Sequence, residues 1–357
     1  MYILDEVLSG SVRVKASDVH FTVGRPPVYR VDGQLDPIEG EALSPEMMEK
    51  LLMPLIDVRH RAQLQENGQT DFAYAISGVG RFRVNVFKQR GTLAAAMRCL
   101  PFGIPEPGSL GIPSEVVEMT TRKRGLVLVT GPTGSGKSTT LASLIHEINK
   151  KYCYHIITLE DPIEYLHRHD RSIVNQREIG SDSMDYAQAL RAALREDPDV
   201  ILVGEMRDLE TISTAITAAE TGHLVFSTLH TIGADQTLDR IIDVFPPDQQ
   251  QQIRIQLAAV LECIVSQQLL KRADGQGRVA ALEVLFANNA IRNLIREGKT
   301  YQIPSVMQTS KRLGMQTMDD ALYDLYMRKI IDADEAVTYA QDPVSMNKKV
   351  TFDLPDF

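Results

Sequence analysis

The stretch GPTGSGKSTT, from Gly131 to Thr140, follows the apolar run LVLVT with no residue between them. Its first eight residues fit the pattern G-x-x-x-x-G-K-[S/T], in which a glycine-rich loop joins a strand to a helix and turns its N–H groups toward phosphates. Lys137 can reach the β- and γ-phosphates, Ser138 can ligate Mg²⁺, and the following helix presents its N-terminus to the anion. The predicted phosphate site is Gly131, Pro132, Thr133, Gly134, Ser135, Gly136, Lys137, Ser138 and Thr139.

Four short apolar runs in this part of the chain each lead directly into a polar cluster. LVLVT leads into the glycine-rich loop, HIITL into EDPIE, DVILV into GEMRD, and LVFST into LH. Helix-like segments such as YAQALRAALRE and LETISTAITAAETG lie between them. This alternation predicts a mostly parallel sheet covered on both faces, in which ligands bind beyond the carboxyl ends of the strands. We therefore expect all four clusters at one edge of the sheet.

The acidic clusters supply groups that hydrolysis of a γ-phosphate needs, namely a carboxylate for Mg²⁺ and a group that orients the attacking water. EDPIE offers Glu160, Asp161 and Glu164, and GEMRD places Glu205 and Asp208 after a buried strand. Glu205 is favoured as the Mg²⁺ ligand and Glu164 as the group that orients water, with Glu160 as a further catalytic candidate. Asp208 is expected to cap the helix that it precedes.

Two histidines, His223 and His230, flank the fourth apolar run. On one unbroken strand they would point to opposite faces, so a shared metal is not expected. His230 follows the strand and is the better candidate for sensing the γ-phosphate. For His223 the sequence leaves a functional and a structural role open.

The composition is that of an ordinary globular protein and excludes several classes. The 357 residues suffice for about two or three domains, and the net charge of −9 gives no global sign of nucleic-acid binding. The three cysteines are too scattered for a disulfide framework or a metal site and suit a reducing cytoplasm. The apolar segment 253–270 contains Arg254 and Glu262, which a membrane span would not tolerate. We expect no direct insertion into a membrane.

The N-terminal part is predicted to be a separate α+β domain. RFRVNVF, from Arg81 to Phe87, alternates polar and apolar residues with the period of a half-buried strand. Arg81 and Arg83 therefore share a face, and on the pattern alone they could simply form an exposed basic edge. The stretch LPFGIPEPGSLGIP is rich in Pro and Gly, as connections are. The predicted division is an N-terminal domain at 1–99, a linker at 100–120 and a second domain at 121–357.

The motifs together resemble the secretion ATPase superfamily of type II secretion and type IV pili, and within it the retraction ATPases. The resemblance is carried by GPTGSGKST, LEDPIEY, ALREDPDVILVGEMRDLETI and TAAETGHLVFSTLHT. ASDVHF, RVDG, RFRVN, VNQRE and MQTMD extend it over nearly the whole chain, and AIRNLIREGK resembles a segment that marks retraction ATPases. One departure is Ser227, where the family pattern has glycine.

The resemblance implies an α/β chain with a PAS-like N-terminal domain, followed by a RecA-like P-loop ATPase domain with a mostly parallel sheet. It implies a homohexamer that binds ATP or ADP with Mg²⁺, and it carries the Walker B role to Glu205 and the histidine box to His223 and His230. It also implies that Arg81 and Arg83 approach the nucleotide across a domain or subunit boundary.

The same resemblance implies a motor that drives pilus retraction from the cytoplasmic side of the inner membrane, at the pilus base. Its expected partner is an inner-membrane platform protein, with a paralogous accessory ATPase as a further candidate. The alternatives are the accessory retraction ATPase itself, an ATPase of a secretion or conjugation system, and an assembly ATPase. The chain has no CxxC, which weakens the assembly alternative, and its acidic balance weakens a nucleic-acid motor.

The segment NNAIRNLIREGK predicts an amphipathic helix with Asn289 as its cap and Gly298 at its end. Leu294 and Ile295 are expected to dock it. Arg292, Arg296 and Lys299 are expected to form a basic face that transmits motion without contacting ATP.

Overall fold

The computed structural model describes residues 2–31, 33–100 and 103–352. The chain divides into two compact units, Met1–Gly103 and Ile104–Phe357. The predicted linker, 100–120, differs from this division, because its residues from 104 onward belong to the second unit and Val116 is buried in that unit's core. Outside the described residues lie Asp32 of the RVDG match, Pro101 and Phe102 of the predicted linker, and residues 353–357 of the predicted second domain.

The first unit is built on a six-stranded antiparallel sheet in the order β3-β2-β1-β6-β5-β4. Its strands are β1 (Asp18–Phe21), β2 (Val28–Val31), β3 (Gln34–Pro37), β4 (Gln69–Ile76), β5 (Gly80–Gln89) and β6 (Thr92–Cys99). Its α-helices are α1 (Leu4–Arg13), α2 (Pro45–Leu52) and α3 (Val58–Asn67). One face of the sheet packs on the helices around a core that includes Leu8, Met48 and Phe82.

The strand predicted from RFRVNVF is confirmed as the central part of β5. Phe82, Val84 and Val86 are completely buried, and Arg81 and Arg83 alternate with them and so lie on the other face. β5 lies between β4 and β6. The two arginines are therefore not on an edge strand, and the simple basic-edge alternative is wrong.

The second unit contains a seven-stranded sheet and eleven α-helices among its described residues. Its strands are β7 (Gly125–Thr130), β8 (His155–Glu160), β9 (Ile173–Glu178), β10 (Val200–Val203), β11 (Leu224–Leu229), β12 (Leu261–Lys271) and β13 (Arg278–Phe286). Its helices are α4 (Ser114–Val117), α5 (Lys137–Lys151), α6 (Tyr186–Ala193), α7 (Leu209–Glu220), α8 (Ala234–Asp243), α9 (Gln250–Val260), α10 (Asn289–Arg296), α11 (Ile303–Thr309), α12 (Met318–Met327), α13 (Ala333–Tyr339) and α14 (Pro343–Phe352).

The predicted parallel sheet is confirmed. Its order is β13-β12-β7-β11-β10-β8-β9, and every pair is parallel except β12 with β13. The four apolar runs form β7, β8, β10 and β11. Successive residues of β7 enter different cores, since Leu126 and Leu128 pack on one face and Val127 and Val129 on the other. Burial on both faces explains why these strands are continuous apolar runs rather than alternating ones.

The apolar segment 253–270 divides between two elements. Its first part forms most of α9, and its second part forms β12, which lies beside β7 inside the sheet. Among the described residues no helix combines the length and the apolar character that crossing a membrane requires.

Helix α10 forms where the sequence predicts it, but the predicted cap is wrong. The side chain of Asn288, not Asn289, accepts a hydrogen bond from the N–H of Ile291 at 3.0 Å. Gly298, with φ of 67°, follows the end of the helix as predicted. Two adjacent asparagines cannot be distinguished by pattern, because both precede the same apolar periodicity.

The cap assignment predicts a difference between the two asparagines. Asn288→Ala should lower the free energy of unfolding by about 1 kcal/mol, because a helix N–H loses its acceptor. Asn289→Ala is the matched control and should change it much less. Chemical denaturation of the two variants measures both values, and equal losses would contradict the assignment.

Candidate nucleotide site

The glycine-rich loop runs from the end of β7 to the first residue of α5. Gly131 and Gly136 have φ of 141° and 90°, in the region that side chains disfavour. Both also lie against Gln267 of β12. A Cβ at Gly131 would collide with the backbone oxygen of Gln267, and one at Gly136 would lie 2.8 Å from its Nε2. Glycine is therefore required by conformation at both positions, and at Gly131 also by the space that the backbone of Gln267 occupies.

Lys137 is buried and points back along the loop. Its Nζ donates hydrogen bonds to the backbone oxygens of Gly131, at 2.8 Å, and Pro132, at 3.0 Å. Burial lowers the pKa of Lys137, and the charges of Glu205 and Glu164 oppose this effect. The hydrogen bonds thus hold Lys137 over the loop, where its charge interacts favourably with those of Glu205 and Glu164.

The register of the parallel strands brings the other clusters to this loop. Thr130 at the end of β7 pairs with Leu229 at the end of β11, so the chain continues into Gly131 on one strand and His230 on the next. Leu159 of β8 pairs with Val203, the last residue of β10, so Glu160 at the end of β8 lies level with Gly204, which follows β10. One edge of the sheet therefore collects the residues that follow four separate strands.

Glu205 is held by two side chains of the edge, Arg207 and His230. Its Oε1 lies 2.6 Å from Nε of Arg207 and 3.3 Å from Nε2 of His230. Burial raises the pKa of Glu205, but the hydrogen bond from Arg207 and the charges of His230 and Arg207 outweigh it and leave that pKa below its usual value. Nδ1 of His230 lies 3.5 Å from Oγ1 of Thr133. His230 therefore bridges the glycine-rich loop and Glu205.

The EDPIEY segment is fastened to its surroundings by polar contacts. Oε1 of Glu160 accepts hydrogen bonds from Thr158, at 2.6 Å, and from Gln176 of β9, at 3.0 Å. The hydroxyl of Tyr165 lies 2.9 Å from that of Thr139 in the first turn of α5. These contacts hold the segment beside the glycine-rich loop, and Glu164 lies half-buried within it.

The structure separates the two histidines of the predicted histidine box. His223 precedes β11, at the opposite edge of the sheet from His230, and its Nδ1 lies 3.0 Å from the backbone oxygen of Ala218. Strands rise about 3.3 Å per residue, so the seven steps from His223 to His230 span about 23 Å. Among the described residues no cluster of three or more acidic, histidine or cysteine side chains could hold a metal.

The structure also accounts for Asp208 and Ser227. Asp208 caps α7 as predicted, accepting the N–H of Thr211 at 2.9 Å. Ser227, the departure from the family pattern, is completely buried and donates to the backbone oxygen of Val203 at 2.8 Å. Its hydroxyl is therefore satisfied inside the sheet, and the serine leaves no unpaired polar group there.

Four residues of the site were missed from the sequence: Gln176, Tyr186, Arg207 and Gln267. The hydroxyl of Tyr186 lies close to Gly204, the residue before Glu205. A Cβ at Gly204 would lie 2.8 Å from that hydroxyl. Burial, followed by the charges of Asp161, Glu205 and Glu160, raises the pKa of Tyr186 and keeps it a neutral donor. For Arg207 the sequence offers one indication, its place in the GEMRD motif beside Glu205. Gln176 lies in VNQRE, which only extends the family resemblance, and Tyr186 and Gln267 lie in a helix-like segment and an apolar segment with no functional pattern.

The chain resembles known proteins along most of its length. A family model described as "Type II/IV secretion system protein" matches residues 1–300. The chain is 46% identical to the "Type IV pilus retractation ATPase PilT" of Pseudomonas aeruginosa, over 95% of this chain and 98% of that protein. It is 40% identical to the "Type IV pilus ATPase PilU" of the same organism, over 94% and 88% of the two chains.

A solved structure of the pilus retraction motor PilT with bound ADP has 53% sequence identity to the chain. The match covers 98% of this chain and 99% of that one, with a TM-score of 0.92. The fold class is thereby confirmed as α/β, with an N-terminal domain and a RecA-like ATPase domain; the term PAS-like stays a prediction. The chain belongs to the type II/IV secretion system protein family of P-loop ATPases, and within that family it is similar to the retraction ATPases of type IV pili.

Proposed function

We propose that the chain is a hexameric motor that hydrolyses ATP to drive retraction of type IV pili. One observation carries the proposal. The glycine-rich loop, Lys137, Glu205 and His230 meet at one edge of a parallel sheet, in a chain that matches a retraction ATPase along almost its whole length. Such an edge can bind phosphates, ligate Mg²⁺ and orient water.

The P-loop would bind the phosphates through its N–H groups, from Gly131 to Thr139. Lys137 would exchange its two backbone oxygens for the β- and γ-phosphates, which compensate its charge better than neutral carbonyls do. A neighbouring cavity of about 630 Å³ extends from Gly136 and Thr139 to Arg272 and Leu325. Its mixed polar and apolar lining suits the nucleoside part of ATP or ADP.

Mg²⁺ would be held by Ser138 and Glu205. Arg207 and His230 contact Oε1 of Glu205, and the depressed pKa of Glu205 favours the ionised form that a cation requires. We assign orientation of the attacking water to Glu164, with Glu160, which accepts hydrogen bonds from Thr158 and Gln176, as a further candidate. His230, between Thr133 and Glu205, would report the presence of the γ-phosphate.

Arg81 and Arg83 are proposed to stabilise the charge of the transition state across a domain or subunit boundary. Their position on β5 supports this, because their face is the one turned away from the core of the first unit. A hexamer would contain such boundaries between its subunits. Each boundary would close in turn, so that ATP would be hydrolysed at successive sites around the ring.

The proposed output partner is an inner-membrane platform protein at the pilus base, reached from the cytoplasm. The second candidate is the accessory ATPase, supported by the 40% identity to PilU. The retraction motor is favoured, because the matched PilT sequence and structure are more similar, at 46% and 53% identity. Nucleic acid is not a proposed partner.

The chemical assignment is tested by Glu205→Gln and Glu164→Gln. Each should slow ATP hydrolysis at least about tenfold, because Mg²⁺ or the water loses its carboxylate, while ADP binding stays within a few-fold of the wild type. Turnover and ADP affinity of the purified variants give both numbers. Asp208→Asn is the matched control, since Asp208 caps α7 and should not affect turnover. Normal hydrolysis by both Gln variants would contradict the assignment.

The basic face of α10 needs a corrected test. Arg292 is not free to transmit motion, because its Nη1 donates to the backbone oxygens of Ala258 and Ala259 and its Nη2 lies 3.0 Å from Glu262. Arg296 and Lys299, in contrast, are exposed. Ile291 and Ile295 dock the helix and are completely buried, whereas Leu294 is only partly buried.

We therefore expect Arg296→Ala with Lys299→Ala to leave ATP turnover near normal but to reduce twitching motility. Arg292→Ala is the contrasting variant and should lower the free energy of unfolding by about 1.5–3 kcal/mol, because it removes charge-assisted hydrogen bonds. ATP turnover, denaturation and motility of a strain carrying each variant test this. Motility unchanged in the Arg296 and Lys299 variant would exclude that face as the output surface.

A further inference from the structure

The side chain of Gln267 ties β12 to the P-loop at two points. Gln267 is 4% exposed, and its Nε2 donates to the backbone oxygen of Ser135 at 2.5 Å. Its Oε1 accepts from the hydroxyl of Thr140, in the first turn of α5, at 2.8 Å. One amide thus spans the loop and the start of the helix that together form the phosphate site.

The position of Gln267 follows from the sheet. β12 pairs with β7 so that Ser266 lies opposite Thr130. The next residue of β12 is Gln267, and the residue that follows the end of β7 is Gly131. The backbone oxygen of Gln267 occupies the space that a side chain at Gly131 would need, and its Nε2 does the same at Gly136. The close approach of Gln267 therefore restricts the conformation of the loop at Gly131 and Gly136.

The hydrogen bond to Ser135 has a consequence for the next peptide N–H. In a planar trans peptide the C=O and the N–H point in opposite directions. Holding the oxygen of Ser135 toward Gln267 therefore turns the N–H of Gly136 away from β12. In addition, the hydroxyl of Ser135 is buried with no hydrogen-bond partner among the described residues. The N–H of Gly136 is thus directed away from the strand that holds the loop.

We propose that Gln267 is a positioning residue that holds the P-loop in its phosphate-binding conformation before nucleotide arrives. The inference rests on the proposed nucleotide site. Gln267 lines the cavity beside Gly136 and Thr139, but its side-chain amide is engaged by Ser135 and Thr140, so we assign it no contact with the reacting atoms. It acts through Ser135 and Thr140, so that nucleotide does not have to order the loop as it binds.

The chain offers a matched control in the adjacent residue. Gln268 is 5% exposed, and its side chain donates one hydrogen bond, to the backbone oxygen of Tyr339 at 3.2 Å. Successive strand residues point to opposite faces, so the amide of Gln268 serves the C-terminal helices instead of the loop. Gln267→Met and Gln268→Met each remove a buried amide from the same strand.

The experiment measures ADP affinity with Mg²⁺ by calorimetry, and kcat and KM for ATP, on the full chain. Gln267→Met should raise the Kd of ADP and the KM of ATP by about tenfold or more, with kcat within about threefold, because bound nucleotide re-forms the loop. Gln268→Met should lower thermal stability but leave the Kd within about twofold. Unchanged affinity in Gln267→Met, or equal losses in the two variants, would overturn the proposal.

Two further variants make every outcome informative. Thr140→Val removes the hydrogen bond from Thr140 to Gln267 without changing the shape of the side chain at 140. It should also raise the Kd of ADP, and it can be measured even if Gln267→Met does not fold. Wild-type affinity in Thr140→Val would count against the proposal. Lys137→Ala tests the nucleotide site itself. Loss of binding in Lys137→Ala with normal binding in Gln267→Met would reject the positioning role alone, whereas normal binding in Lys137→Ala would reject the site.

Discussion

Parallel pairing of buried strands is the constraint on which the rest of this structure depends. β7, β8, β10 and β11 are apolar on both faces, so they can only lie inside a covered sheet. Parallel register then brings their carboxyl ends together at one edge. The P-loop, the EDPIEY segment, Glu205 and His230 are separated by up to about a hundred residues in the chain, yet this register makes them neighbours.

The electrostatics of the edge follow from that convergence. A buried lysine and a partly buried glutamate would each be costly to keep charged alone. Here Lys137 is compensated by backbone oxygens and by nearby carboxylates, and Glu205 by Arg207 and His230. The charges are thus arranged before ligand binding, which is what stabilisation of a developing phosphate charge requires.

Local sequence patterns predicted much of this arrangement, and their failures share a physical cause. The four strands, β5 and the P-loop are set by periodicity and by glycine, which act within a few residues. Gln267 and Arg292 were not predicted in their observed roles, because their partners, Ser135 and Ala258, lie far away in sequence. His223 was grouped with His230 by motif, although the length of β11 places the two at opposite edges.

The central claim is that ATP turnover at this edge drives pilus retraction, and complementation tests it most directly. A strain that lacks its own copy of this gene would receive either the wild-type chain or Lys137→Ala at equal protein levels, and retraction of individual pili would be recorded. We expect the wild-type chain to restore retraction and the folded Lys137→Ala chain not to restore it. Retraction restored by Lys137→Ala, or absent with a wild-type chain that hydrolyses ATP, would contradict it.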